Sequence, residues 1–320
     1  MDIMVSHKTL CVCVCVCVCV CNFRMASSKH HRSTSEPYTR LPPLTVKVVC
    51  LKETPKVTGW HFSDGSARPK TVHNNTTAAV CDGTNVFRFV LFENLASQIK
   101  EGKTYTIRNF KMGKFGSTRS MLSSKDTAVY VSAPIQVSQQ LEDEARLLLG
   151  PPTTLTPLTN ISQSQMMYVT VKGWVTAMEP LKKIQKGQDP AIPLQIINLK
   201  EDESEVNVAL WGEAVLTPVC IGSPVEISHL RGSNSQSHGF ALHTSPFTVV
   251  KPGSGIHEIK PRGYRTIGQD QEVLDSDDIP HIVSSDVWLK VFPDTPEILP
   301  SVILLNYEKG TVIDILMPEE

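Results

Sequence analysis

Apolar and polar residues alternate in short runs along most of the chain, the period-two pattern of half-buried strands. Val86-Phe-Arg-Phe-Val-Leu91 is one such run, and Leu44–Leu51 and Met167–Val175 are others. Comparing the chain with itself at an offset of 120 residues lays Val86-Phe-Arg-Phe-Val-Leu-Phe92-Glu93 over Val206-Asn-Val-Ala-Leu-Trp-Gly212-Glu213. Without a gap, Gly102 then lies over Gly222, Ile107 over Ile227 and Lys111 over Arg231. Each copy reads in one order. An opening strand and an alternating strand precede a short segment with helical spacing, a glycine and a further strand (Thr104–Phe110, Pro224–Leu230). A polar loop and a closing strand follow (Ala128–Val131, Phe247–Val250). The period is too long for a solenoid repeat. Five short strands with one helical turn between the third and fourth match an OB module. The pattern therefore predicts an all-β chain of two tandem OB-fold, five-stranded Greek-key barrels joined by a short helix and linker.

The expected organisation is a disordered N-terminus over 25–43, a first barrel over 44–137, a helix and linker over 138–165, a second barrel over 166–250 and an acidic C-terminal region over 251–320. Ser138 suits a helix N-cap, Glu142–Glu144 suit its first half, and Gly150-Pro151 stop it. Its stripe of Leu141, Ala145, Leu148 and Leu149 either packs back on the first barrel or serves as a partner helix in an oligomer. Thr153–Gln165 reads as a flexible connection. In the C-terminal region Val287–Phe292, Val302–Leu305 and Val312–Leu316 read as candidate strands, and Asp270–Asp278 as a solvated or protein-binding acidic stretch.

Charge changes the picture only when taken by segment. The 320 residues carry 31 Lys and Arg against 32 Asp and Glu, a net of −1, with 41% apolar residues, which excludes collagen-like, wholly disordered and multi-span membrane classes. Residues 44–137 hold 13 basic against 6 acidic side chains, residues 166–250 hold 6 against 8, and residues 251–320 hold 6 against 13. The first barrel is thus a basic module offset by an acidic tail. Arg88, Arg108, Lys111, Lys114 and Arg119 fall in its third and fourth strands or adjoining loops, the placement of a phosphate track. Single-strand binders add aromatic rings on which bases stack. Alternation sends Phe87 and Phe89 inward and sets Phe92 in phase with Arg88 on the other face. Phe115, in a polar loop between glycines, is a second candidate. In the second barrel Trp211, Arg231 and Phe240 are the corresponding candidates, with Trp211 one residue out of phase with Phe92 in the ungapped alignment.

These residues carry a resemblance to the tandem DNA-binding OB folds of the replication protein A large subunit. Val206-Asn-Val-Ala-Leu-Trp211-Gly212-Glu213 is similar to that family's strand-three motif, and Arg88, Phe92 and Glu93-Asn94 are similar to the equivalent motif of the preceding barrel. Lys111, Lys114 and Phe115 resemble its basic, aromatic-tipped loop. The likeness covers about residues 44–250 and implies stacking by Phe92, Phe115 and Trp211, phosphate contact by Arg88, and single-stranded DNA as partner in replication, repair or recombination in the nucleus. RNA, and protein partners reached through the 138–149 helix or the acidic C-terminal region, are the alternatives. The longer linker and the lack of a zinc-ribbon barrel set the chain apart from the replication subunit.

Six of the nine cysteines lie in a Cys-Val repeat from Cys11 to Cys21. Residues 1–24 have three readings: a signal peptide, a metal-binding tract, or the translation of a TG dinucleotide repeat upstream of an initiating Met25. We expect the last. Cys50, Cys81 and Cys220 have no metal-site spacing, and no P-loop, nucleophile elbow or His-Glu-x-x-His motif occurs. No catalytic residue, cofactor, metal or membrane contact is expected.

Overall fold

The computed structural model describes residues 41–115, 118–164, 167–185, 187–235, 239–294 and 296–318. The Cys-Val segment and the rest of residues 1–40 lie outside the described residues. The architecture is all-β, and among the described residues three large apolar cores and a smaller layer under a helix organise it.

The first barrel comprises β1 (Leu44–Val57), β2 (Trp60–Ser63), β3 (Ser66–Pro69), β4 (Val72–Cys81), β5 (Val86–Leu91), α1 (Glu93–Ala96), β6 (Thr104–Arg108), β7 (Lys111–Phe115), β8 (Thr118–Leu122) and β9 (Ala128–Val131). The sheet runs β7-β8-β5-β4-β1-β6-β9, with β5 and β8 parallel. Because β6 and β7 are two halves of one kinked strand, the ring closes through it, giving the five-stranded order of an OB fold. Val46, Val48, Phe87, Phe89, Leu91, Ile107 and Met121 fill the interior, as the alternation of each strand requires. β2 and β3 form a hairpin extending the β1–β4 ribbon.

After α2 (Gln139–Leu149) and β10 (Thr154–Leu155), the second barrel comprises β11 (Val169–Met178), β12 (Lys182–Ile184), β13 (Ile192–Glu201), β14 (Ser204–Trp211), β15 (Pro224–Ser235), β16 (Gly239–His243) and β17 (Val249–Pro252). Here pairing of β11 with both β13 and β15 closes the ring. The duplication extends to backbone detail. Asn109 and His229, 120 residues apart, both adopt the left-handed conformation at the kink, with φ of 57° and 56°. The Asn109 carbonyl accepts hydrogen bonds from the Ser124 and Thr127 hydroxyls, and the His229 carbonyl accepts them from Ser245 and Thr248. Gly102 and Gly222, at φ 75° and 82°, donate their N–H to the carbonyls of Val48 and Val175. Each of those valines immediately precedes a bulge in its strand.

Ser138 caps α2 by accepting the Leu141 N–H. The helix lies on the outer face of the first barrel, where Ala145 and Leu149 are buried against Val49, Ala79 and Cys81. Its apolar stripe is therefore consumed within the chain. The bulge after Val48 turns Val49 outward to meet it, which explains why a strand of the barrel wall carries apolar residues on both faces. The connection to the second barrel is not a free tether either. Leu158 and Ile161 sit on a 3₁₀ turn (Leu158–Gln163) inside the second core, and the Leu158 N–H donates to Glu201.

Residues 255–316, within the acidic C-terminal region, form a third folded unit. One sheet joins β18 (Gly255–Ile259), β22 (Ile303–Glu308) and β23 (Thr311–Leu316); the other joins β19 (Pro261–Ile267), β20 (Asp270–Asp275) and β21 (Pro280–Val283). Val287–Phe292 falls on a helix, α3 (Ser285–Val291), rather than a strand, and it buries Val287 and Trp288 in this unit's core. An apolar run of that length satisfies either period. The acidic stretch 270–278 is a strand and its turn. Asp275 is buried and accepts the Asp277 and Ile279 N–H groups, while Asp277 and Asp278 pair with Lys200 and Arg262. Among the described residues no helix is long and apolar enough to cross a membrane.

Candidate nucleic-acid interface

On β5 the inward Phe87, Phe89 and Leu91 leave Arg88 and Val90 on the outer face, and Phe92 follows at the strand end as the N-cap residue of α1. Phe92 is 47% exposed, unusual for a phenylalanine beside a core. Its backbone N–H donates to the Ser123 hydroxyl, which fixes the strand end. Strand register places Lys111 opposite Leu122, and Gly113 opposite Ser120, which neighbours Arg88. Arg88, Phe92 and Lys111 thus share one outer face, with the small Ser120 and Gly113 as the floor between strands. Arg119 is exposed at the far end of β8. Arg108 is exposed on β6, a different wall of the barrel, and does not join this group. Lys114 and Phe115 occupy the end of β7, and their side chains lie outside the described residues.

The second barrel repeats the arrangement. Trp211 ends β14 as the N-cap residue of a 3₁₀ turn (Gly212–Leu216), and its backbone N–H donates to the Thr244 hydroxyl as that of Phe92 does to Ser123. The offset between the two aromatic residues is 119, because the turn after Trp211 is one residue longer than its counterpart; the kinks regain the offset of 120. Arg231 pairs with His243, and His243 pairs with Ala209 on the same outer face as Trp211. The indole N–H donates to His243 Nδ1 at 3.3 Å. Burial holds the His243 pKa below its ordinary value, keeping the imidazole neutral and Nδ1 an acceptor. The result is an aromatic residue and a cation two strands apart on one outer face of each barrel, Phe92 with Lys111 and Trp211 with Arg231. Phe240 stands apart from this face: it points inward, packs on the second core and covers Gly232, where an added Cβ would lie 2.9 Å from its ring. That position fits a core-sealing ring rather than a base-stacking one.

Sequence reasoning missed the seam between the barrels. The Arg231 guanidinium lies 5.0 Å from the Tyr168 ring centroid, Tyr168 meets Phe247 edge-on at 5.6 Å, and Lys52 of the first barrel sits 5.9 Å over Phe247. The β1–β4 ribbon and its hairpin reach across as well. The Val57 N–H donates to Glu213, and Lys183 lies 5.5 Å over the Phe62 ring. Tyr168, next to the opening strand of the second barrel, was legible only as an apolar position.

The fold and this geometry define a tandem OB-fold chain with an aromatic residue and a cation on one outer face of each barrel. No protein-family model and no curated protein matches the sequence. Solved structures with a similar trace include a murine DNA binding protein bound with double-stranded DNA, at 14% identity over 66% of this chain and 98% of that one, with a TM-score of 0.32. A replication protein A heterotrimer bound to single-stranded DNA is similar at 10% identity over 68% of this chain and 49% of that one, with a TM-score of 0.35. An OB domain from Thermoplasma acidophilum is similar at 15% identity over 31% of this chain and 87% of that one, with a TM-score of 0.27.

Proposed function

We propose that this chain is a non-catalytic, single-stranded DNA-binding protein that holds the strand across both OB barrels. The observation that carries the proposal is the duplicated pair, Phe92 with Lys111 and Trp211 with Arg231, set on equivalent outer faces by equivalent strand ends. A ring at the strand end offers every base a stacking surface, and a cation two strands away on the same face neutralises a phosphate; together they bind without reading sequence. Arg88 and Arg119 extend the cationic surface of the first barrel. A role in replication, repair or recombination within the nucleus, akin to that of the replication protein A large subunit, is the setting this chemistry suits.

The test is a titration of labelled oligo-dT, oligo-rU and duplex DNA against the full chain. Expected are preference for oligo-dT over duplex and a log–log salt slope of about −0.7 per phosphate neutralised. Phe92→Ala and Trp211→Ala should each cost about 1–3 kcal/mol of oligo-dT affinity. Preference for duplex, or unchanged affinity in both variants, refutes the assignment.

A further inference from the structure

We propose that His257, Asp275 and His281 form a binding site for a tetrahedral divalent cation of the zinc class, which ties the two sheets of the third unit together where they pack against the second barrel. The three residues come from β18, from the end of β20 and from β21, and their ligand atoms all lie within 4.8 Å of one another. A tetrahedral ion with bonds of about 2.0–2.1 Å spaces its ligand atoms roughly 3.3 Å apart, and Asp275 Oδ2 already lies 3.1 Å from His281 Nε2. Small side-chain rotations complete the set.

The surroundings are those of a ligand cluster. Asp275 Oδ1 accepts the N–H groups of Asp277 and Ile279 at 2.9 and 2.8 Å, which orients Oδ2 towards His281. His281 Nδ1 lies 2.8 Å from the Tyr307 hydroxyl. In the tautomer whose Nδ1–H donates to that oxygen, the Nε2 lone pair faces the carboxylate, and a bridging cation takes the place of the Nε2–H hydrogen bond that the other tautomer makes. A second hydrogen-bond partner on the far nitrogen is what ligating histidines ordinarily have. His257 is held by stacking on Trp174 of the second barrel, ring centroids 3.9 Å apart. His281 packs so tightly on Gly222 of that barrel that an added Cβ would lie 2.8 Å from Nδ1. His281 is fully buried and Asp275 5% exposed, burial that carboxylates rarely reach unless paired. Two imidazoles and one carboxylate suit zinc-class ions, whereas calcium and magnesium take oxygen ligands in larger number.

The experiment uses the full chain. After treatment with a chelator, Co²⁺ is titrated while its visible d–d absorption is followed, and Zn²⁺ is then added as competitor. Expected is one saturable equivalent with the intensity of a tetrahedral nitrogen–oxygen site, displaced by Zn²⁺, and a Tm raised by Zn²⁺. Cobalt held by the cysteines of residues 11–21 would instead show thiolate charge transfer in the near ultraviolet. His257→Phe keeps a ring against Trp174, and Asp275→Asn keeps an acceptor for the two backbone N–H groups; both should lose the band while circular dichroism stays native. Tyr307→Phe should weaken cobalt binding about 10–100-fold. Absence of a saturable band in the folded wild-type chain overturns the proposal and leaves a proton-linked Asp275–His281–Tyr307 chain in its place. A nitrogen–oxygen band that survives in either His257→Phe or Asp275→Asn overturns it equally.

Discussion

Two residues show how local backbone and protonation state set what the surface can do. Gly222 combines φ of 82° with a close approach: an added Cβ would fall 2.6 Å from the Pro280 carbonyl oxygen and meet His281. Gly222→Ala should therefore cost about 2 kcal/mol or more, read as a lower urea midpoint. Gly102→Ala, with the same sign of φ but nothing within 4 Å of an added Cβ, should cost less. His243 supplies a pH dependence. Its pKa is lowered from 6.5 by burial, so as pH falls the unfolded chain takes the proton first. The stability linked to its neutral form is fully present above about pH 6.5 and is lost as pH falls through the depressed folded value. Protonation also turns Nδ1 from acceptor to donor and breaks its bond with the Trp211 indole. Tryptophan emission should change as pH falls below about 6.5, and the His243→Ala chain should lack that component; identical titrations would remove His243 as the cause.

At the scale of elements, α2 is part of the first barrel's wall. Leu149 is 6% exposed and seals the layer formed by Val49, Ala79, Cys81 and Ala145. Burial pushes the Cys81 thiol up to about 11, as expected of an inert packed cysteine. Leu149→Ala should destabilise by about 2–5 kcal/mol, whereas Leu147→Ala, on the 52%-exposed side, should stay within about 0.5 kcal/mol; urea unfolding of both checks this. Element identity was legible where one period ruled alone. The β5 and β14 alternation announced which side chains face in, and the all-β tandem OB architecture followed from it. The kink was written twice as Ser-x-x-Thr, at 124–127 and 245–248, but became meaningful only once those hydroxyls were seen to meet the Asn109 and His229 carbonyls. Val287–Phe292 and Asp270–Asp278 misled for opposite reasons. The first fits two periods, and in the second only one carboxylate, Asp275, is buried, on backbone partners that no charge count reveals, while Asp277 and Asp278 stay exposed.

For the molecule as a whole, segmental charge gave the right contrast and an incomplete meaning. The acidic tail is a folded body whose Asp277 and Asp278 pair with Lys200 and Arg262, and Trp174 of the second barrel packs on its core. A chain ending at Pro252 should therefore expose Trp174 and show a lower Tm and red-shifted emission. An unchanged Tm would mean the units are energetically independent. The candidate surface was legible barrel by barrel, since Phe92, Lys111, Trp211 and Arg231 each stand out in their own strand. Lys52, Tyr168 and Phe247 escaped because the seam they build joins positions far apart in sequence.

That seam also bears on how length is measured. A tether would let the barrels engage a strand at any separation, and affinity would climb smoothly as oligonucleotides grow. With the ribbon of one barrel bonded to Glu213 and stacked under Lys183 of the other, the two faces are held like the jaws of a fixed-gap gauge. Strands shorter than the gap engage one jaw, and strands that span it engage both, so binding should rise in a single step at one threshold length.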